Sequence, residues 1–143
     1  LGLFHFDQYD PVLASTAVLR QRAIDNENTL EGDGYKYRGR GCVHLTWKKN
    51  YRRASERFKF DYVVAPDLAG LFEHAVPIMF WGMRNGIFTG VGLRNYIKPG
   101  EIDYRNARRV INGTNEADLI GSYAKRFEDI LIKTSVLSME VSE

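Results

Sequence analysis

Apolar positions along the chain recur mostly at helical spacing. Trp47, Tyr51, Ala54 and Phe58 fall on one side of a stretch whose other side carries Lys48, Lys49, Arg52, Arg53, Glu56 and Arg57, which predicts an amphipathic helix. Upstream, Ser15 is placed to cap a short helix running to about Asn26, with Leu19 and Ala23 as its i, i+4 pair. A further helix is predicted from about Phe72 to Asn85, with Gly86 past its end and Pro77 marking either a kink or its true start. Asp103 caps the next, which carries Tyr104, Ala107, Val110 and Ile111 inward and ends at Gly113, so Asn112 lies at a helix terminus. Asn115 caps the last, with Leu119, Ile120, Tyr123, Ala124, Phe127, Ile130 and Leu131 as a broad stripe; the tail beyond Lys133 is expected to fray.

Period-two alternation is confined to one place. Val43, Leu45 and Trp47 alternate with His44 and Thr46, which predicts a short extended stretch with one set inward and the other facing a cleft. Between Asn26 and Gly41 the pattern dissolves into polar residues and the glycines 32, 34, 39 and 41, which reads as loop. The expected class is mainly α, with at most a small β element and a cleft between two helical lobes.

A chain of 143 residues, 44% hydrophobic and 13% aromatic, can bury one sizeable core, so 1–143 is expected to be a single domain. The single cysteine, Cys42, excludes an internal disulfide framework. No apolar run reaches the length of a membrane span, and the first residues lack the pattern of a secretory leader, so membrane insertion is not expected. A net charge of +2 suits an anionic polymer without demanding one.

The chemistry concentrates in Gly32-Asp33-Gly34-Tyr35-Lys36-Tyr37-Arg38-Gly39-Arg40-Gly41-Cys42-Val43-His44-Leu45-Thr46-Trp47, followed by Asn50-Tyr51. Closely spaced glycines let backbone approach a sugar, and Tyr and Trp offer flat apolar faces to pyranose rings. A glycine-rich turn packed on aromatics is the plainer alternative. Arg38 and Arg40 can orient carboxylates or simply be solvated.

This stretch resembles family 19 glycoside hydrolases, the chitinases and phage endolysins of the lysozyme-like superfamily, whose core runs Y-R/Y-G-R-G, two hydrophobic residues, Q-L-T/S, then N-Y. Ile111-Asn112-Gly113, Pro66-Asp67-Leu68-Ala69 and Phe80-Trp81-Gly82-Met83 are similar to later elements of that family, so the likeness spans about Gly32 to Phe127. The resemblance implies a lysozyme-like α+β fold and endo-cleavage of β-1,4 bonds in amino-sugar polymers, peptidoglycan or chitin. It implies inversion, with water attacking under general acid/base catalysis and no cofactor or metal. The absence of a disulfide set favours the phage or bacterial branch, made in a bacterial cytoplasm and acting on the cell wall. Thr46 and Asn50 stand where the family holds the attacking water and the substrate, His44 where it has a glutamine, and Asn112 where it has a substrate-binding asparagine. Tyr37 and Arg40 complete the expected binding set. Read without the family, Thr46 and Asn50 serve equally as helix caps, Asn112 can bond a helix end in place of a ligand, and Asn112-Gly113-Thr114 is also an N-glycosylation pattern.

Inverting glycoside hydrolysis uses two carboxyl groups roughly 6.5–9.5 Å apart. The family's acid is a glutamate in an H-E-T/S motif upstream of the core, and no such motif occurs here. Leu3 to Tyr9 loosely resembles the family's segment just downstream of that motif, so the domain is expected to be incomplete, with its general acid upstream of Leu1. Asp7 is then the leading second carboxylate and Glu31 the other catalytic candidate, with Asp10 and Glu27 as alternatives and Asp33 another carboxylate beside the core motif. The competing function is a carbohydrate-binding remnant that kept the cleft and lost the acid. Nucleic-acid binding through the basic helix face is a third reading, set aside because such faces are usually only solvated. Nothing in the pattern fixes an oligomeric state.

Overall fold

The computed structural model describes residues 3–140, with side chains over 6–135. It is mainly helical, with one small antiparallel sheet, and it divides into two compact units, Leu1–Trp81 and Gly82–Glu143.

The first unit opens with a 3₁₀ turn, Leu3–Tyr9, followed by α1 (Ala17–Asp25), the single-turn α2 (Asp33–Lys36), α3 (Lys48–Phe58), a 3₁₀ turn at Pro66–Gly70, and most of α4 (Phe72–Asn85). Thr16, one residue past the expected Ser15, caps α1 by accepting from the Leu19 N–H at 3.2 Å. Only Ala23 is buried from α1, so this helix contributes little core. In α3 the predicted face holds: Tyr51 and Ala54 are fully buried, and Phe58 meets Trp81 edge-on at 5.6 Å. Ala14, Tyr37, Leu45, Trp47, Tyr62, Ala69, Ala75 and Ile78 are also buried in this unit.

Two local departures from the sequence pattern follow from hydrogen bonding. The stretch expected to be loop contains α2, because the Asp33 carboxylate accepts from Thr29 and Leu30 N–H (2.9 and 3.1 Å) and fixes the turn that enters it. The stretch expected to be extended forms no strand. Arg40 and Leu45 instead make an isolated antiparallel bridge (2.8 and 3.2 Å) that closes the tight loop Gly41–His44. The inward and outward alternation survives at Leu45 and Trp47, which are buried, and at His44, which is exposed.

In the second unit, β1 (Ile97–Lys98) and β2 (Glu101–Ile102) pair antiparallel, Ile97 opposite Ile102, across a Pro99-Gly100 turn with Gly100 at φ +78°. That angle suits the third position of a type II turn. Asp103 caps α5 (Tyr104–Ala107) as expected, accepting from the Asn106 N–H at 2.9 Å. The helix then breaks, and α6 (Arg109–Asn112) ends at Gly113. Glu116 takes φ +56°, so α7 (Ala117–Glu140) starts at Ala117, and Asn115 instead offers its carbonyl to Arg108 Nε at 3.2 Å. The helix runs past Lys133, where fraying was expected; 141–143 lie outside the described residues. Its stripe is not a core face: Tyr123 is 47% exposed and Phe127 and Leu131 are 66% exposed. A cavity of about 260 Å³ lies beside α7, bordered by Met83, Leu93, Ile97, Ile111, Ile120 and Ala124. No helix among the described residues is long and apolar enough to cross a membrane.

Candidate functional site

The R-G-R-G run is held by one guanidinium. Arg40 Nε donates to Asp67 at 2.8 Å, and its Nη1 donates to the Lys36 carbonyl at 2.7 Å and the Tyr51 hydroxyl at 2.9 Å. The Tyr51 hydroxyl in turn donates to the Arg38 carbonyl at 2.7 Å. Three segments distant in sequence, the motif loop, α3 and the Pro66–Gly70 turn, are thereby tied through two side chains. Burial pushes the Tyr51 phenol above its ordinary pKa, against the opposing pull of Arg40, so it stays protonated and keeps donating. Gly41 sits at φ +70°, and a Cβ there would lie 2.5 Å from the Ala69 carbonyl, so only glycine lets the loop lie this close to that turn.

Asn28, fully buried, joins the other side: its amide donates to the Tyr9 carbonyl at 2.9 Å and its oxygen accepts from the Lys48 N–H at 3.0 Å. That last bond satisfies a donor at the start of α3, whose N-cap, Trp47, has no side-chain oxygen to do so. Trp47 takes φ +76° and ψ 133°, a strained conformation for a bulky residue, while its ring is buried edge-on against Tyr9 at 4.9 Å. His44, three residues earlier, is also left-handed, at φ +51°.

Within this frame a short exposed turn carries the candidate chemistry. The His44 side chain packs against Gly39, where an added Cβ would come within 3.0–3.2 Å of its Cβ, Nδ1 and Cγ. Thr46 donates its hydroxyl to the His44 carbonyl at 2.7 Å, and Asn50 donates its amide to the Thr46 carbonyl at 2.9 Å. His44 is exposed, and Thr46 and Asn50 are half-buried. With those donors committed, the Thr46 hydroxyl oxygen and the Asn50 side-chain oxygen are left as two acceptors on one turn. Each can accept a hydrogen bond from water.

No protein-family model matches the chain, and no curated protein matches it.

The remaining predicted residues fall elsewhere. Tyr37 is 1% exposed, with its hydroxyl on the Val63 carbonyl at 3.3 Å, so it presents no face to a ligand and acts in packing. Arg40 is likewise committed to the scaffold rather than offered to a substrate. Asn112 is exposed at the end of α6 in the second unit. Among the carboxylates, Asp10 is buried and accepts from the N–H groups of Val12, Leu13, Gly32 and Gly34 at 2.8–3.3 Å. Burial raises its pKa, and the four amides together outweigh burial and hold the carboxyl below its usual range. Glu27 forms a bidentate pair with Arg52 (2.7 and 2.8 Å), which lowers its pKa. Asp33 is spent on the turn before α2. Asp7 is half-buried and Glu31 exposed, and among the described residues neither carboxylate has a partner. No group of three or more His, Cys, Asp or Glu side chains among the described residues is placed to hold a metal ion.

Proposed function

We propose that this chain is a family 19-type glycoside hydrolase domain, lysozyme-like with a substrate cleft between two lobes, acting on the β-1,4 bonds of peptidoglycan or chitin. The observation that supports it best is the turn His44–Asn50: a buried hydrogen-bonded frame holds two strained residues, and between and beside them Thr46 and Asn50 keep acceptors free for water. Backbone strain persists only where surrounding structure over-determines it, and it concentrates at functional sites. In this reading Thr46 and Asn50 hold the attacking water and His44 contacts the substrate. Asn112 contributes a further binding amide, and Asp7 or Glu31 supplies a carboxylate. Bacterial cell walls are then the working location.

A second reading, sugar binding without turnover, is favoured by one specific observation. Asp10, Glu27 and Asp33 are all committed to structural partners, which narrows the supply of catalytic carboxylates. The test is turbidity loss of purified bacterial walls and product release from chitin oligomers, with binding followed by calorimetry. Turnover that falls on the order of 10²-fold in Thr46→Ala, with binding retained, supports the hydrolase. Binding without turnover selects the second reading, and the absence of both overturns the two together.

A further inference from the structure

Tyr35 lies outside the run Tyr37–Gly41 and has no part in the water-holding turn, yet its surroundings are unusually ordered for an exposed ring. Its backbone is fixed on both sides, since Asp10 accepts from Gly34 N–H and the Lys36 carbonyl accepts from Arg40. The Arg38 guanidinium sits 4.2 Å from the ring centroid and also donates to the Tyr35 carbonyl at 3.0 Å. Phe6 meets the ring edge-on, with centroids 5.8 Å apart and planes at 70°. Even so, Tyr35 remains 46% exposed. A residue held in one orientation while almost half of its surface faces water has given up rotamer freedom without the burial that normally offsets it. Such pre-ordering favours a ligand that lays a flat apolar surface on the ring.

The position of the ring gives it a direction. Arg38, stacked on Tyr35, is followed by Gly39, and the His44 side chain packs against Gly39. Tyr35 and Arg38 are thereby linked through Gly39 and His44 to Thr46, whose hydroxyl donates to the His44 carbonyl. Resting on the sugar-polymer reading above, we propose that Tyr35, braced by Arg38, is a stacking platform for an N-acetylhexosamine ring of the bound polymer, away from the bond that is cut. Chitin and peptidoglycan both supply such a ring, so the platform recognises their shared pyranose face. Arg38 acts as a positioning residue through the aromatic ring.

The experiment is calorimetric titration of the full chain and its variants with chitin oligomers and, separately, with soluble peptidoglycan fragments. Tyr35→Phe should bind like the parent, because the face rather than the hydroxyl makes the contact. Tyr35→Leu, which keeps apolar bulk without a flat face, should bind about tenfold more weakly. Arg38→Lys should weaken binding in the same direction, and thermal melts of each variant separate a loss of fold from a loss of the platform. Equal affinity of parent and Tyr35→Leu for both ligands overturns the platform while leaving the sugar-polymer reading intact. No binding of either ligand by the parent overturns both. Weakening on one ligand alone assigns the platform to that polymer and supports it.

Discussion

At the scale of single residues, Arg40 shows why a short arginine-glycine run is sensitive to apparently mild change. Its planar fork reaches an aspartate, a phenol and a backbone carbonyl at once, which the point charge of a lysine cannot do. Arg40→Lys is expected to destabilise the fold by about 1–2 kcal/mol, since the half-buried Tyr51 contact loses a charge-assisted donor while Asp67 and the Lys36 carbonyl, being exposed, turn to water. Tyr51→Phe, which removes one hydroxyl, should lose about 1–2 kcal/mol. In a double-mutant cycle followed by urea unfolding, the two should fall short of additivity by at least about 0.5 kcal/mol; strict additivity would mean that the 2.9 Å contact does not couple them. The sequence placed Arg40 in the motif and showed that it could orient a carboxylate, but the motif could not separate a residue that holds the loop from one that touches a ligand. The partners of Tyr37 and Asp10 were not legible either: Val63 and the Gly32 and Gly34 amides lie more than twenty residues away in the chain. The bonds that join His44, Thr46 and Asn50 all fall within seven residues, a range over which sequence can group side chains.

At the scale of elements, periodicity located α3, α4, the α5–α6 segment and α7, because each carries apolar side chains at 3.6-residue spacing. It could not say whether a stripe is covered. Val110 is fully buried from α6, whereas Phe127 on α7 is 66% exposed, although both occupy inward positions of their patterns. Ends were harder still, since a positive φ at Glu116 or Trp47 carries no hydropathy signal. Two substitutions on α7 test the packing directly. At Gly121 an added Cβ would lie 3.2–3.3 Å from the Arg105 backbone, which has no flexible end to swing aside. Gly121→Val should therefore push α7 from α5 and destabilise by about 1–3 kcal/mol. Phe127→Gln, on the exposed stripe, should stay within about 0.5 kcal/mol of the parent. Urea midpoints in the reverse order would mean that the stripe, and not the Gly121 approach, is the packed face of α7.

At the scale of the whole molecule, the titratable groups define a window of stability. Asp10 and Glu27 have folded pKa values below their ordinary ones, the first because its four backbone donors outweigh burial and the second because of Arg52. Groups of this kind contribute stability above the unfolded carboxylate pKa of about 4, and that contribution is lost as pH falls through their lower folded values. Tyr51, Tyr62 and Tyr104 are shifted the other way, chiefly by burial. Their phenols stay protonated in the fold after the unfolded chain has begun to ionise near pH 10, so stability also declines as pH rises past about 10. Urea unfolding across pH should then give a plateau between about pH 5 and 9 with a falling limb on each side. Asp10 is the buried member of the acid limb and can be removed without altering side-chain shape. Asp10→Asn should lower stability at pH 7 by about 2–3 kcal/mol, because an amide offers one acceptor where the carboxylate offers two, and its NH₂ faces backbone donors. Toward pH 2 the parent's own carboxyl takes up a proton and loses the same bonds, so the gap between parent and variant should narrow. Parallel acid limbs would show instead that Asp10 holds the loop by shape alone, with its charge contributing nothing to the link between Val12 and Gly34.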